Sequence, residues 1–215
     1  MAYRKNKVKL IWNNNFAYII GVIATDGNLS NDLRHIIITS KDYEMVTNCK
    51  KHLKITNKFS KTARGRSKDK KYYMLQFGDK NFFNFLLDLG LTPKKSKTIS
   101  ELKIPQKYFG NFFRGCIDGD GSISISKHPE SKHLQYKVRL CSASKEFLDW
   151  NLKMCKIVFN GIKGGSICKS KNSSVYTLSL CKKDSFIILN EIYKGNVLCL
   201  SRKKRVALKI LGQVA

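Results

Sequence analysis

The sequence contains few acidic residues. Its 215 residues include 15 Asp plus Glu against 41 Lys plus Arg, which gives a formal net charge of +26. Only 3 prolines are present and 42% of the residues are hydrophobic, so the chain can bury a core and is not a disordered basic tail. Charge of this size needs an anionic partner, and nucleic acid is the commonest one. The composition excludes an ordinary neutral enzyme and leaves an acidic membrane surface as the alternative.

The sequence also lacks a run of about 20 apolar residues, the length that a membrane-spanning helix needs. The longest apolar stretch, Phe16 to Ala24, ends at Thr25-Asp26-Gly27. The first ten residues, MAYRKNKVKL, have neither the apolar stretch nor the cleavage site of a signal peptide. We therefore expect no membrane partner and no secretion. The expected location is the cytoplasm of a prokaryote or phage host, or the inside of an organelle if an organelle encodes the protein.

The seven cysteines form no C-x-x-C pair. They are odd in number and scattered singly along the chain, which fits neither a disulfide framework nor a zinc knuckle. Because free cysteine is among the residues most often buried, we expect reduced and mostly buried thiols.

An internal repeat is the most informative feature that the sequence does have. The segment YIIGVIATDG at residues 18–27 returns as FFRGCIDGDG at residues 112–121, with a Gly and an Asp-Gly at the same offsets. Asp26 and Asp120 are therefore equivalent positions. Later segments repeat in the same order, the last pair being LTPKK at 91–95 and LSRKK at 200–204. The repeat predicts two halves of normal small-domain size, residues 1–102 and 103–215.

Periodicity and turn residues predict an α+β fold in which both halves have the order α-β-β-α-β-β-α. In the first half, helices are predicted over 16–25, 41–53 and 81–89, and strands over 33–39, 58–66 and 71–78. In the second half, a helix ending at 119 is followed by strands over 122–126, 134–141, 166–169 and 175–181, and by helices over 145–159, 184–193 and 202–211.

The two Asp-Gly segments point to metal-dependent chemistry. Asp26 and Asp120 come at the C-terminal ends of apolar helices, where the helix dipole disfavours a carboxylate. A hard divalent cation would compensate, because carboxylate and main-chain carbonyl oxygens are its preferred ligands. Gly21 and Gly115 remove side chains in mid-helix, which favours a close approach of the two helices. Such packing would bring both carboxylates together beside two Mg²⁺ ions, the arrangement that hydrolyses a phosphodiester.

A purely structural interpretation competes with this one. An Asp-Gly after an apolar helix is by itself a common helix stop, because both residues favour turns. Two such stops in register across a repeat favour the functional interpretation.

The segments IIGVIATDG (19–27) and FRGCIDGDG (113–121) resemble the two motifs of a single-chain LAGLIDADG homing endonuclease, and the matching downstream order extends the resemblance over nearly the whole chain. It implies a monomer of two pseudo-symmetric halves packed through the motif helices, with two antiparallel sheets forming a saddle on DNA. It assigns Asp26 and Asp120 as catalytic Mg²⁺ ligands, with the carbonyls of Thr25 and Gly119 beside them, and Mn²⁺ is expected to substitute.

The resemblance also implies a basic residue from each half near the scissile phosphates. The internal match gives Lys94 and Lys203, and the neighbours that could take their place are Lys95, Lys97, Arg202 and Lys204. The penultimate acidic position of the motif is Ala24 in the first half and Asp118 in the second. The two sites are therefore expected to differ, with one DNA strand cut faster than the other.

Alternating polar residues on the predicted strands are candidates for reading bases, because a two-stranded ribbon fits the major groove of DNA. These candidates are Arg34, Lys58, Lys61, Arg64, Arg66 and Gln76 in the first half and Ser124, Lys127, Gln135, Lys137, Arg139 and Lys169 in the second. The run at residues 64–71 is expected to form a basic hairpin tip that holds phosphates without reading sequence.

The sequence therefore predicts a site-specific homing endonuclease that makes a double-strand break in a long, non-palindromic target of double-stranded DNA. Intron RNA is a second candidate ligand. The alternative is a nucleic-acid binder on the same scaffold that does not cleave, either an RNA-splicing maturase or a DNA-binding regulator. The presence of both Asp26 and Asp120 favours cleavage.

Overall fold

A computed structural model of the chain describes residues 7–63, 68–171 and 173–212. The first half contains helices α1 (Asn14–Asp26), α2 (Tyr43–Leu53) and α3 (Lys80–Asp88) and strands β1 (Gly27–Leu29), β2 (His35–Ser40), β3 (Phe59–Thr62) and β4 (Tyr72–Gly78). The second half contains helices α4 (Phe109–Asp120), α5 (Lys145–Val158), α6 (Lys182–Tyr193) and α7 (Ser201–Gly212) and strands β5 (Gly121–Lys127), β6 (Leu134–Ser142), β7 (Ser166–Lys169) and β8 (Tyr176–Leu180).

This order confirms the predicted α+β fold of two halves, each running α-β-β-α-β-β-α, with α7 as an additional final helix. Strand β1 falls outside the strands predicted from periodicity, because its three residues are too few to show an alternating pattern. Short 3₁₀ turns at Lys95–Lys97 and Gln106–Tyr108 lie in the connection between the halves.

The two sheets have the same topology. Each is antiparallel, with the strand order β1-β2-β4-β3 in the first half and β5-β6-β8-β7 in the second. Gly27 pairs with Ile38 and Gly121 pairs with Leu140, so the residue after each motif aspartate begins an edge strand. The strand directly continues the motif helix, and its register fixes where the aspartate lies.

Each sheet has one buried face and one open face. On β6, Tyr136, Val138 and Leu140 are buried, while the residues between them are partly exposed. Because side chains alternate along a strand, the register assigns every position to a face. The open face of the first sheet includes His35, Ile37, Met74 and Gln76, and that of the second includes Ser122, Ser124, Gln135, Lys137, Arg139, Thr177 and Ser179.

Helices α1 and α4 pack against each other more closely than side chains would allow. A Cβ atom at Gly21 would lie 2.1 Å from the carbonyl oxygen of Phe112, and one at Gly115 would lie 2.0 Å from that of Tyr18. Asn13 begins α1 by accepting hydrogen bonds from the main-chain N–H groups of Asn15 and Phe16, both at 3.0 Å. The helix is then buried around most of its circumference, which explains its nearly continuous apolar sequence.

All seven cysteines lie in the described residues and are free thiols. Four of them are buried, whereas Cys168 and Cys181 are exposed. Within the described ranges, none of the helices has the length and apolar character needed to cross a bilayer.

We expect Gly21→Ala to lower the free energy of unfolding by about 1–3 kcal/mol or more, because the new methyl group would overlap a main-chain oxygen of the facing helix. The better helix propensity of alanine, worth about 1 kcal/mol, offsets only part of this loss. Urea unfolding measures the change. The matched control is Gly212→Ala, since a Cβ at Gly212 has no atom within 4 Å. Equal stabilities for the two variants would contradict the close helix contact.

Candidate functional site

The structure brings the two motif aspartates to neighbouring helix ends. Asp26 is half-buried at the end of α1 and Asp120 is exposed at the end of α4. A Cβ atom at Gly119 would lie 2.1 Å from Oγ1 of Thr25 and 3.4 Å from Oδ2 of Asp26. The Asp26 side chain therefore lies beside the main chain that carries Asp120. Thr25, Asp26, Gly119 and Asp120, all proposed from the sequence, form one cluster at the centre of the molecule.

A small cavity opens beside this cluster. Its volume is about 70 Å³, and its lining includes Thr25, Lys95, Ser96, Asp120 and Ser142. A cavity of this size can hold water. Residues of both halves contribute polar groups to it.

The donor atoms of the cluster suit a hard cation. Two carboxylates and the neighbouring carbonyl groups offer oxygen ligands, which Mg²⁺ and Mn²⁺ prefer over sulfur. Among the residues that the structure describes, no three His, Cys, Asp or Glu side chains are grouped so that they could hold a metal ion. A metal held here would therefore complete its shell with oxygens from main-chain carbonyls, water or a bound phosphate.

Lys203 reaches the C-terminal end of α4 from helix α7. Its Nζ donates hydrogen bonds to the carbonyl oxygens of Ile117, Asp118 and Gly121, the last two at 2.8 Å. The carbonyl of Ile117 also accepts the main-chain N–H of Gly121, and the negative end of the helix dipole favours a cation at this place. Lys203 is only 5% exposed. Burial lowers the pKa of its ammonium group to about 8, although the nearby Asp118 acts in the opposite direction.

Lys95, and not Lys94, occupies the equivalent place in the first half. The Nζ of Lys95 donates to the carbonyl oxygen of Gly27, the counterpart of Gly121, and the residue is 6% exposed. Lys94 is exposed and has a left-handed backbone with φ of 57°. The sequence match of Lys94 with Lys203 is therefore wrong by one residue. The first half has a 3₁₀ turn that begins at Lys95 where the second half has the regular helix α7. Because each segment contains two consecutive lysines, a sequence alignment does not reveal the difference of one residue.

The other basic candidates in these segments have different contacts. Arg202 forms a bidentate pair with Asp42 at 2.8 and 2.9 Å. Lys204 donates to the carbonyl oxygen of Gly195 at 2.6 Å, and Lys97 is exposed. Lys95 and Lys203 are thus the basic residues of these segments with hydrogen bonds to the motif-helix ends.

Asp118, the acidic residue of the second motif that has no counterpart in the first, is separated from the exposed cluster. It is completely buried and accepts hydrogen bonds from the hydroxyl groups of Tyr18 and Tyr193. Burial raises the pKa of the Asp118 carboxyl, and these hydrogen bonds oppose the shift. Sequence reasoning missed both tyrosines, because an isolated tyrosine in an apolar segment does not differ from an ordinary core residue.

The structure places the predicted DNA contacts in two groups. Gln76 lies on the open face of the first sheet, and Ser124, Gln135, Lys137 and Arg139 lie on the open face of the second. Lys61, Lys127 and Lys169 have the register of the buried faces and are exposed at strand ends. Their register differs from that of the open-face candidates because neighbouring positions on a strand point to opposite faces. Their contact with DNA stays a prediction.

Two of the remaining candidates lie beside strands. Arg34 precedes β2, and Lys58 precedes β3. Arg64 and Arg66 lie outside the described residues, as does the start of the predicted basic tip at 64–71. The described part of that tip has an ion pair of 2.8 Å between Lys71 and Asp69.

Sequence reasoning also missed His35 and Asn57. Together with Arg34, Gln76 and Lys7 they contribute to the lining of a groove of about 360 Å³ beside the first sheet. Asn57 donates to the carbonyl oxygen of Gln76 at 2.9 Å, which joins the loop before β3 to the open face. His35 lies two positions before Ile37 on β2, so that both side chains share one face of the sheet. This spacing is the sequence signal that identifies His35.

No protein-family model matches the chain. Solved structures do match it. The homing endonuclease I-WcaI bound to its DNA recognition sequence is 14% identical, with a TM-score of 0.63 over 91% of this chain and 88% of that one. I-DmoI in complex with DNA and Mn is 14% identical, with a TM-score of 0.56 over 86% of this chain and 98% of that one.

Full-length DUF199/WhiA from Thermatoga maritima is 19% identical, with a TM-score of 0.57. The match covers 98% of this chain but only 64% of WhiA, so the chain spans less than two thirds of that protein. Together these likenesses show the LAGLIDADG fold, with both motifs in a single chain. The resemblance seen in the two motif segments is confirmed at the level of the fold.

The buried ammonium group of Lys203 predicts a pH dependence of stability. Below pH 8 both the native and the unfolded chain carry this proton, and the native state bears the cost of burying the charge. Between pH 8 and the unfolded pKa of 10.5, the native state loses the proton first. We therefore expect the free energy of unfolding to rise with pH in this window, by an amount of the order of 3 kcal/mol.

The comparison protein is Lys203→Met, which keeps most of the length of the unbranched side chain but cannot titrate. Urea unfolding of both proteins from pH 7 to 10.5, taken as a difference, removes the contributions of all other groups. Parallel curves over the whole window would show that Lys203 titrates normally in the folded protein.

Proposed function

We propose that this protein is a site-specific, divalent-metal-dependent DNA endonuclease of the LAGLIDADG type, which makes a double-strand break in a long, non-palindromic target and serves in homing. The observation that carries the proposal is the close approach of two equivalent helix ends that each carry a carboxylate, with the side chain of Asp26 beside Gly119, the residue before Asp120. The excess of 41 basic over 15 acidic residues supports a nucleic acid as the substrate.

Asp26 and Asp120 would hold the metal, with the carbonyl oxygens of Thr25 and Gly119 as further ligands. We propose Mg²⁺ as the physiological ion and Mn²⁺ as its substitute, because both accept hard oxygen donors. When bound, such ions lower the pKa of a water molecule and neutralise charge on the phosphate. The carboxylates themselves are the only acidic groups that both motifs share, so they define the reacting position.

The two buried lysines have an electrostatic role in this proposal. Lys203 directs all three ammonium protons of its side chain at main-chain carbonyls. It therefore has no proton left for a phosphate while these bonds persist, and it acts as a fixed positive charge beside the helix end. Lys95 supplies the corresponding charge in the first half, where it lines the same small cavity as Asp120.

DNA would lie on the open faces of the two sheets. Lys137 and Arg139 offer donors that suit guanine, and Gln135 suits adenine. The first sheet offers Gln76 together with the apolar side chains of Ile37 and Met74. The two faces differ in charge and in hydrogen-bonding groups, so they would read different half-sites and favour a non-palindromic target.

We further propose that the protein cleaves as a monomer, because one chain already supplies both carboxylates. The division into halves at 1–102 and 103–215 is part of this proposal. It is supported by the two sheets, whose strands span residues 27–78 and 121–180 and do not exchange partners in the described part of the chain.

The second candidate is a nucleic-acid binder that does not cleave, acting as a DNA-binding regulator or, with intron RNA as its ligand, as a maturase. The likeness to WhiA favours it, since that protein has the same fold and is not named as an endonuclease. The two candidates differ in what Asp26 and Asp120 do, and this difference can be measured.

We expect the wild-type protein to generate defined ends in a plasmid library of randomised or host-derived inserts when Mg²⁺ or Mn²⁺ is added, and none with EDTA. Asp26→Asn and Asp120→Asn should each lower the cleavage rate at least about 100-fold, because each removes a charged ligand from the reacting position. Sequencing of the ends gives the target and the products together.

The matched control is Asp149→Asn, which removes an exposed carboxylate that pairs with Lys145 on α5. It should cleave at the wild-type rate. Salt-sensitive retention of DNA or RNA by the wild type without new ends would favour the second candidate and contradict cleavage.

Lys95 and Lys94 form a matched pair for the basic residue of the first half. We expect Lys95→Met to slow cleavage by about 10-fold or more, because it removes a buried charge next to the carboxylates, and Lys94→Met to leave the rate unchanged. Cleavage of the target identified above measures both variants. A larger loss of cleavage rate from Lys94→Met than from Lys95→Met would show that Lys94 is the counterpart of Lys203.

A further inference from the structure

Helix α4 carries two buried charged residues that the motif cluster does not use. Arg114 is 2% exposed and Asp118 is 0% exposed, and they lie four residues apart on the same side of the helix. Burying such groups is costly unless hydrogen bonds satisfy them. Their partners therefore indicate what the two residues do.

Asp118 accepts three hydrogen bonds. The hydroxyl of Tyr18, on α1, donates to Oδ2 at 2.9 Å, and that of Tyr193, the last residue of α6, donates to Oδ1 at 2.6 Å. The main-chain N–H of Leu200 donates to Oδ2 at 2.7 Å. Two of the three partners thus bound the segment from Tyr193 to Leu200, which we call the α6–α7 connector.

Arg114 contacts the same part of the chain through carbonyl oxygens. Its Nη1 donates to Ile192 at 2.8 Å and its Nε donates to Leu198 at 2.9 Å. The remaining Nη2 donates to the side chain of Asn111 at 2.8 Å. Arg114 donates to carbonyl groups of Leu198 in the α6–α7 connector and of Ile192 just before it. Asp118 accepts from Tyr193 and Leu200 at the two ends of the connector. Together they hold the connector against α4.

The connector leads directly into the turn that carries Lys203. The carbonyl oxygen of Leu200 accepts hydrogen bonds from the main-chain N–H groups of Lys203 and Lys204, both at 3.0 Å. Lys203 then returns to α4 and donates to the carbonyl oxygen of Asp118. The carboxylate of Asp118 thus binds the residue before α7, and the ammonium group of Lys203 on α7 binds the main chain of Asp118.

The first half is built differently. Ile20 and Ala24 stand at the positions equivalent to Arg114 and Asp118. Lys95 lies on a 3₁₀ turn, whose main-chain N–H groups at Thr98 and Ile99 donate to the carbonyl oxygen of Lys95. Apolar residues therefore suffice to pack a motif helix, and packing alone does not require the charged pair in the second half.

We propose that Arg114 and Asp118 are positioning residues for Lys203, so that cleavage by the second half of the site depends on them and cleavage by the first half does not. The expected effect on cleavage rests on the proposed endonuclease function. The attachment of the connector to α4 rests only on the hydrogen bonds described above.

The test combines amide hydrogen exchange with strand-resolved cleavage. In Asp118→Asn, exchange should rise at the amides from Leu198 to Lys204, because the acceptor for the Leu200 N–H is weakened. Cleavage of one strand should slow by about tenfold relative to the other, and it should be the strand that Lys203→Met slows. Loss of a hydrogen bond that only stabilises the fold would slow both strands together.

Two further variants provide a matched pair. Tyr193→Phe and Tyr18→Phe each remove one hydrogen bond from Asp118, but only Tyr193 adjoins the connector. Tyr193→Phe should therefore change the strand ratio and the connector exchange more than Tyr18→Phe does. If Asp118→Asn does not fold, this pair decides the question.

Equal slowing of both strands, or an exchange increase spread over the whole second half, would overturn the proposal. Unchanged exchange at the connector would overturn it as well. If the wild-type protein cuts no DNA, the endonuclease function fails separately. The exchange comparison then still decides whether Asp118 holds the segment that carries Lys203.

Discussion

The close approach of α1 and α4 is the constraint on which the rest of the structure depends. At Gly21 and Gly115 the main chains come so near that a Cβ atom would overlap a carbonyl oxygen of the facing helix, at 2.1 and 2.0 Å. Gly119 continues this contact to the helix ends, where its missing side chain leaves room for Thr25 and Asp26. Three glycines thus let the two helix ends that carry Asp26 and Asp120 come together from distant parts of the chain.

This packing leaves a concentration of polar groups at the centre of the molecule. Two helix ends leave carbonyl oxygens without intrahelical partners there, and such groups must be satisfied if they are buried. Lys95 donates to the carbonyl of Gly27, and Lys203 donates to those of Ile117, Asp118 and Gly121, which lie at and just beyond these helix ends. The same cations balance the motif aspartates, so stability of the helix ends and electrostatics of the candidate site depend on the same side chains.

The features that repeat along the sequence were the ones that it could predict. The recurrence of the motif segment gave the equivalence of Asp26 and Asp120, and periodicity gave the element order of both halves. Errors arose where one residue of register matters. Lys94 was matched in place of Lys95, because a 3₁₀ turn and a helix follow the same pair of lysines. Lys61, Lys127 and Lys169 are candidates for reading bases by their polar character, although their register belongs to the buried faces.

Long-range contacts of single residues outside the repeat pattern could not be predicted. Tyr18 and Asp118 are 100 positions apart, and Tyr193 meets the same carboxylate from another helix. Neither tyrosine belongs to a motif. The alternation of Asp and Gly in IDGDG likewise does not reveal that the helix turns the carboxylate of Asp118 inward and that of Asp120 outward.

The joining of both halves in one chain has a consequence for the contact between Tyr18 and Asp118. In a homodimer with twofold symmetry, every contact across the axis occurs twice, so that a substitution changes both copies of the contact at once. A covalent connection removes this restriction and also keeps the two helices at a high effective concentration. Ala24 and Asp118 can therefore differ, and a single substitution in one half leaves the other intact. Tethering lets each half acquire its own supporting network while both share one helix interface.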